Sequence, residues 1–258
     1  MPELPEVETV RVSLHKHFIG ATTDQVSFFR PDLRETIDQT TVKDVLEGQV
    51  VEHIRRRGKY LVLSTIKGHV ISHLGMSGKM LCLNTAQPLF KHTHYVIAAH
   101  HNTRKIYIHY VDPRRFGRLN AWRSNKLEEW EQYPWLAKLG PEPIECTNLA
   151  QVLEESGKRS RRAIKTFIMD SSIVVGVGNI YACESLFAAK IHPEREARTL
   201  TQTEWSTLAT TIREILKRAI HKGGTTLRDY VNSDAEPGYF QIELSVYNRQ
   251  GQACHTCQ

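Results

Sequence analysis

The chain has 258 residues, with 34 Lys+Arg against 28 Asp+Glu, a formal charge of +6, a pI near 9.1, 40% apolar and 24% charged residues. That is ordinary globular composition, long enough for one large or two modest domains, and its basic balance points to a polyanionic partner. No apolar run approaches the roughly 18 residues that span a bilayer, no secretory leader pattern opens the chain, and five cysteines, an odd number, argue against a disulfide framework, so a cytoplasmic protein with no membrane partner is expected.

The first element is an amphipathic helix, with Val7, Val10, Leu14 and Phe18 at three-to-four spacing and Gly20 as its stop. Short stretches rich in β-branched and aromatic residues follow at 49–54, 60–64, 69–74, 95–100, 105–109 and 119–122, which predicts a β-sandwich or barrel. The proline-rich stretch 134–143 reads as an interdomain connection. Beyond about residue 147 the period becomes helical. Ile164, Phe167 and Ile168 mark one helix, and Asn179 is the expected N-cap of a second. Thr201 and Glu204 form a capping box for a third, which carries Trp205, Leu208, Ala209, Ile212, Ile215, Leu216 and Ala219 on one face. Residues 156–230 hold 13 Lys/Arg against 7 Asp/Glu, a surplus of 6 that equals the excess of the whole chain. The basic character therefore belongs to the helical half.

Several short motifs carry chemistry. Once Met1 is removed, Pro2 presents a free secondary amine, a nucleophile whose adduct with a sugar C1′ is a cationic iminium able to act as an electron sink. Glu3 and Glu6 set two carboxylates beside it, one to transfer protons and one to orient. Alone, such a terminus reads as the first turn of a helix. Arg55-Arg56-Arg57-Gly58-Lys59 places four cations at the mouth of a strand. Gly75-Met76-Ser77-Gly78 puts a flexible apolar side chain on a turn, suited to insertion between stacked bases. Asp112-Pro113-Arg114-Arg115-Phe116-Gly117 combines a turn, two cations and a ring that can fill the hole an extruded base leaves. Lys91-His92-Thr93-His94 has no third ligand at suitable spacing, so phosphate contact or solvent exposure is preferred to zinc. Gly176-Val177-Gly178-Asn179 reads as a turn into a helix N-terminus whose free amides, with Asn179, hold a phosphate. Cys82, Cys146 and Cys183 sit among apolar neighbours and read as buried thiols. Cys254-His255-Thr256-Cys257 is a C-x2-C knuckle, half of a structural zinc site.

The motifs PELPEVE, HLGMSG, KHTH, DPRRFG, LGPEP, VVGVGNIYACESLF, KIHP and GGTTLRDYVNSDAEPGYF occur in the order seen in formamidopyrimidine-DNA glycosylases, and the resemblance covers almost the whole chain. It implies an α+β protein: an N-terminal β-sandwich with an N-terminal helix (1–135), a helix–two-turns–helix domain (147–237) and an incomplete zinc-finger remnant (238–258). The implied activity is excision of oxidised purines, 8-oxoguanine and formamidopyrimidines, from double-stranded DNA, with cleavage of the resulting abasic site. Carried over, Pro2 attacks C1′, Glu3 is general acid and base with Glu6 beside it, and Lys59 assists β-elimination. Met76, Arg114 and Phe116 fill the gap, and His92, Asn179 and the basic run 159–165, with Arg159, Arg161 and Lys165, grip phosphates. The lid at 229–240 selects the lesion. The enzyme is expected to act as a monomer associated with the nucleoid. Zinc belongs to the intact family, and here Cys254 and Cys257 form an incomplete site, so stable zinc binding, tight DNA grip and a second elimination are expected to be lost and 247–258 to be loosely ordered. A catalytically silent binder of damaged DNA and an oxidised-pyrimidine glycosylase of the endonuclease-VIII-like branch are the alternatives.

Overall fold

The computed structural model describes residues 2–30, 32–224 and 244–257. Met1 and the 229–240 segment lie outside the described residues. The described residues fall into two compact units: 2, 6–30 and 32–137 in the first, 3–5, 138–224 and 244–257 in the second.

The first unit is built on helix α1 (Leu4–Phe18), eight strands and helix α2 (Gln39–Leu46). Val7, Val10, Leu14 and Phe18 are all buried, as their spacing requires, and His15, Lys16 and His17 complement the negative C-terminal end of the helix dipole. The strands are β1 (Thr22–Phe28), β2 (His53–Arg57), β3 (Tyr60–Thr65), β4 (Gly68–His73), β5 (Lys79–Leu83), β6 (Thr93–His101), β7 (Arg104–Val111) and β8 (Arg118–Arg123). They form two four-stranded antiparallel sheets, ordered β1-β6-β7-β5 and β2-β3-β4-β8. Residues of both sheets, among them Val26, Ile54, Leu61, Val70, Ile97, Ile108 and Leu119, join α1 and α2 in a single apolar cluster. Burying the inner face of each antiparallel sheet in this way makes the sandwich.

The strand register corrects one expectation. The arginine run lies inside β2, with Arg57 opposite Tyr60, so Gly58 and Lys59 are the two-residue loop of a hairpin. Gly58 has φ +55, which places glycine at the first central position, as a type II′ loop needs.

The second unit is helical: α3 (Leu149–Gly157), α4 (Ile164–Ile168), α5 (Asn179–Ala188) and α6 (Gln202–His221). The capping box of α6 forms as predicted, with the Glu204 side chain accepting from the Thr201 amide at 2.8 Å and Thr201 Oγ1 accepting from the Glu204 amide at 3.3 Å. All seven predicted apolar positions of α6 are buried. Gly157 is pressed against the Trp205 indole, where any Cβ would collide, and Phe167 meets the same ring edge-on at 5.8 Å. The expected N-cap of α5 moves by one residue: Gly178 is the cap and Asn179, exposed, begins the helix. Among the described residues no helix is long and apolar enough to cross a membrane.

Candidate active site

Pro2 is buried, and the residue bonded to it, Glu3, is 1% exposed. The Glu3 carboxylate is held by the start of α5: Oε2 accepts from the Gly178 amide at 2.7 Å and the Tyr181 amide at 3.4 Å, and Oε1 from the Ile180 amide at 3.0 Å. A helix N-terminus offers unsatisfied N–H groups and a positive dipole end, so a carboxylate is its natural complement. The amides at Gly178, Ile180 and Tyr181 are therefore not free for a phosphate, as the sequence reading had them. The anion they hold is internal. Gly178 is required there, since a Cβ would lie 2.7 Å from Glu3 Oε2. One residue further on, the Leu4 amide donates to Gly176 O at 3.1 Å, and Gly176, at φ +84, leaves no room for a side chain against Leu4. Glu6, in the first turn of α1, is also 1% exposed.

Half-buried Lys59 sits in the β2–β3 hairpin loop, and Arg56 fixes that loop. The Arg56 guanidinium donates to Glu8 Oε2 at 2.9 Å and to Gly58 O at 3.1 Å, while Glu8 also pairs with Arg11 at 2.7 Å. A buried-side arginine thus ties α1 to the turn that carries Lys59. Beside the turn, the Tyr60 and His73 rings lie 4.8 Å apart. Burial first, then the positive charges of Lys59, Arg118 and Arg34, pushes the His73 imidazole down to about 4. Neutral at physiological pH, its Nδ1 accepts from the Gly75 amide at 3.0 Å. Sequence reading missed His73, although its place at the head of HLGMSG was a usable signal.

The two turns that carry the candidate wedge are joined through Asp112. This carboxylate, fully buried, accepts from Ser77 Oγ at 2.6 Å, the Arg114 amide at 3.3 Å and the Gly117 amide at 2.8 Å, with the Tyr110 hydroxyl 3.3 Å away. Burial and the Asp112 charge raise the Tyr110 phenol well above its usual range, so it stays a donor. At Gly75, φ +70, a Cβ would run into the Phe116–Gly117 backbone, so the two turns abut directly. Met76 and Phe116 are each 41% exposed, and the Arg114 guanidinium lies 4.9 Å over the Phe116 ring. Arg115, by contrast, is paired with Asp32. The geometry thus separates the two arginines, with Arg114 on the aromatic side.

The His-x-His pair diverges. Both ring nitrogens of buried His94 face backbone carbonyls, Arg30 O at 3.1 Å and Asp112 O at 2.9 Å, while His92 is half-buried with φ +69. Arg159 and Arg161 are exposed; Arg162 is paired with Asp170 at 2.8 Å; Lys165 is half-buried in a groove of the second unit. Of the three thiols expected to be buried, Cys82 is, whereas Cys146 and Cys183 are only partly covered because each lies near the surface of the helical unit.

The Cys254–Cys257 turn is knuckle-like: the Thr256 amide donates to Cys254 Sγ at 3.4 Å, and the amides of Thr256 and Cys257 draw the Cys254 thiol below its ordinary range. Among the described residues, however, no group of three or more His, Cys, Asp or Glu side chains is placed to hold a metal. Two thiolates do not close a tetrahedral structural zinc site, so Cys254 and Cys257 by themselves do not fit the family's zinc. Just before the knuckle, the buried Glu184 carboxylate accepts from the amides of Ser245, Val246 and Tyr247 at 2.8, 3.0 and 2.9 Å.

The formamidopyrimidine-DNA glycosylase N-terminal domain model matches residues 1–119, and the H2TH domain model of the same glycosylase matches residues 139–231. The formamidopyrimidine-DNA glycosylase of Vibrio cholerae is 43% identical over 257 residues, covering 100% of this chain and 92% of that one. Wild-type Lactococcus lactis Fpg in complex with DNA containing N7-benzyl-Fapy-dG superposes with a TM-score of 0.87 at 34% identity, covering 99% of this chain and 91% of that one. A MutM structure in complex with DNA containing carbocyclic 8-oxo-G gives the same four values. With both family models placed in order along a fold that superposes this closely, the chain belongs to the formamidopyrimidine-DNA glycosylase family.

Proposed function

We propose that this chain is a base-excision DNA glycosylase that removes oxidised purines from duplex DNA and then cuts the strand, through a Schiff base on Pro2. The observation that carries the proposal is the Glu3 carboxylate, adjacent in sequence to a buried proline and clamped at both oxygens by the start of α5. The solved relatives bound to Fapy-dG and 8-oxo-G DNA supply the lesion class.

In the proposed reaction Pro2 N bonds to C1′ as the C1′–N9 bond breaks, and the departing purine takes up a proton from water. Glu3 accepts the proton that the Pro2 nitrogen loses and returns it to O4′ as the C1′–O4′ bond opens, leaving an iminium. A C2′ proton then passes to water as the C3′–O bond breaks and the 3′ phosphate leaves, with Lys59 stabilising the developing negative charge. Water hydrolyses the iminium and releases Pro2. Extrusion of the nucleotide costs a few kcal/mol, and Met76, Arg114 and Phe116 offset it by occupying the vacated stack, while His92, Asn179, Arg159, Arg161 and Lys165 hold phosphates.

Borohydride reduction of the protein on duplexes carrying 8-oxoguanine, thymine glycol or no lesion tests this. A covalent complex is expected mainly with the 8-oxoguanine duplex. Binding without any covalent complex would make the chain a silent binder, and preference for thymine glycol would move it to the pyrimidine branch.

A further inference from the structure

Gly78 closes the turn that carries Met76, and Gly117 closes the turn that carries Arg114 and Phe116. Neither has a positive φ, so the backbone does not require glycine at either place. Space does. A Cβ at either position would overlap the Tyr110 hydroxyl oxygen, and at Gly78 it would also overlap Leu74 O. The two turns are closed in the same way around that oxygen. The Gly78 amide donates to Leu74 O at 3.0 Å, and the Gly117 amide donates to Asp112 Oδ2 at 2.8 Å. The Tyr110 hydroxyl stands between these two acceptors, 3.2 Å from Leu74 O and 3.3 Å from Asp112 Oδ2, and its single proton serves both. Its ring is fully buried and stacked on that of buried Tyr95, with centroids 4.9 Å and planes 11° apart, so the phenol has no room to retreat.

From this we infer that Tyr110 is a positioning residue for base extrusion: its hydroxyl locks the Met76 turn to the Arg114–Phe116 turn so that both enter the base stack as one body. The inference rests on the reading of these turns as the wedge. Two halves that moved independently would have to be ordered at the moment of insertion, whereas a pair already locked together avoids that cost. The step so served is the unstacking of a paired base. A duplex with an abasic site has no base to unstack there, and the chemistry at C1′ uses none of these residues.

Tyr110→Phe removes one oxygen and keeps the stacked ring. The test is single-turnover base release from an 8-oxoguanine duplex beside single-turnover cleavage of the same duplex with an abasic site at the lesion position, both at saturating protein. Base release should slow by about 10-fold, the scale of one hydrogen bond, while abasic cleavage stays within about two-fold, which also shows that the variant is folded. The fluorescence rise of a 2-aminopurine next to the lesion should slow by the same factor as base release. Gly117→Ala, whose new Cβ meets the hydroxyl, should cost less in Tyr110→Phe than in the parent. Unchanged base release, equal slowing on both duplexes, or additive effects in the double variant would each overturn the inference. A parent protein that cleaves no abasic duplex would instead overturn the strand-cutting function on which it is built.

Discussion

Gly178→Ala isolates the contact between Glu3 and α5, because the backbone at this position is ordinary (φ −121) and strains no residue. The new Cβ would stand 2.7 Å from Glu3 Oε2 in a site that is fully enclosed. Relief to normal van der Waals separation moves the carboxylate by about 1 Å, a misplacement that costs about 100-fold in rate when the displaced group is catalytic. That is about 2.7 kcal/mol of barrier. Folding stability should fall less, by about 1–2 kcal/mol, as one of the charge-assisted bonds to the carboxylate lengthens and the cap changes from glycine to alanine. Single-turnover base release from an 8-oxoguanine duplex, with binding measured separately, reads the effect. The expected variant binds DNA nearly as well as the parent and releases base about 100-fold more slowly. A variant with the parent's rate would show that the geometry of Glu3 is irrelevant to the chemistry, and the assignment of its role would fail.

Three further outcomes follow from the same geometry. Lys59→Ala should leave base release within a few-fold of the parent while slowing strand cleavage by about 100-fold, the scale of one lost electrostatic contact at a developing charge; equal effects on both steps would return Lys59 to a surface role. Asp112→Asn presents an NH₂ where the buried carboxylate now accepts backbone N–H groups, so urea denaturation should show a loss of about 1–3 kcal/mol together with weaker binding to duplex DNA; unchanged stability would mean the turns are held by other contacts. His73, pushed down to about 4 from an unfolded value near 6.5, favours the folded state only while neutral. Its contribution is complete above pH 6.5 and is lost as pH falls to 4, up to about 3 kcal/mol, so His73→Gln should flatten the stability profile in that window; an identical slope would contradict the burial argument.

What could be read from the residues was whatever a local pattern encodes. The faces of α1 and α6 follow from apolar spacing, and the capping box from two residues three apart. Strands β3, β4, β6, β7 and β8 were legible in their β-branched and aromatic runs. Strand β1, TTDQVSF, was missed because only two of its seven positions are apolar and its burial alternates irregularly around a bulge. Helix α2 hid because Thr40, Thr41, Val42 and Val45 favour strands, and its helical state is imposed by Asp38 at the cap and by burial of one face. From the sequence the arginine run stood at the mouth of a strand. In the fold Arg55 meets Ser64 and the Trp130 ring, and Arg56 finds Glu8 across 48 residues. At the site, Pro2, Glu3 and Lys59 could be named from their motifs, but the clamp on Glu3 spans 175 residues and leaves no local trace. At the α5 N-terminus the residues pointed to free amides holding a phosphate, whereas in the fold the amides of Gly178, Ile180 and Tyr181 hold the Glu3 carboxylate.

The most direct test of the central claim is where the reduced adduct sits. The borohydride-trapped complex with an 8-oxoguanine duplex is digested with nuclease and protease, and the modified peptide is sequenced by mass spectrometry. A single sugar remnant is expected on the nitrogen of Pro2, in a peptide that begins at that residue. A remnant on Lys59 or any other lysine, with Pro2 unmodified, would contradict it.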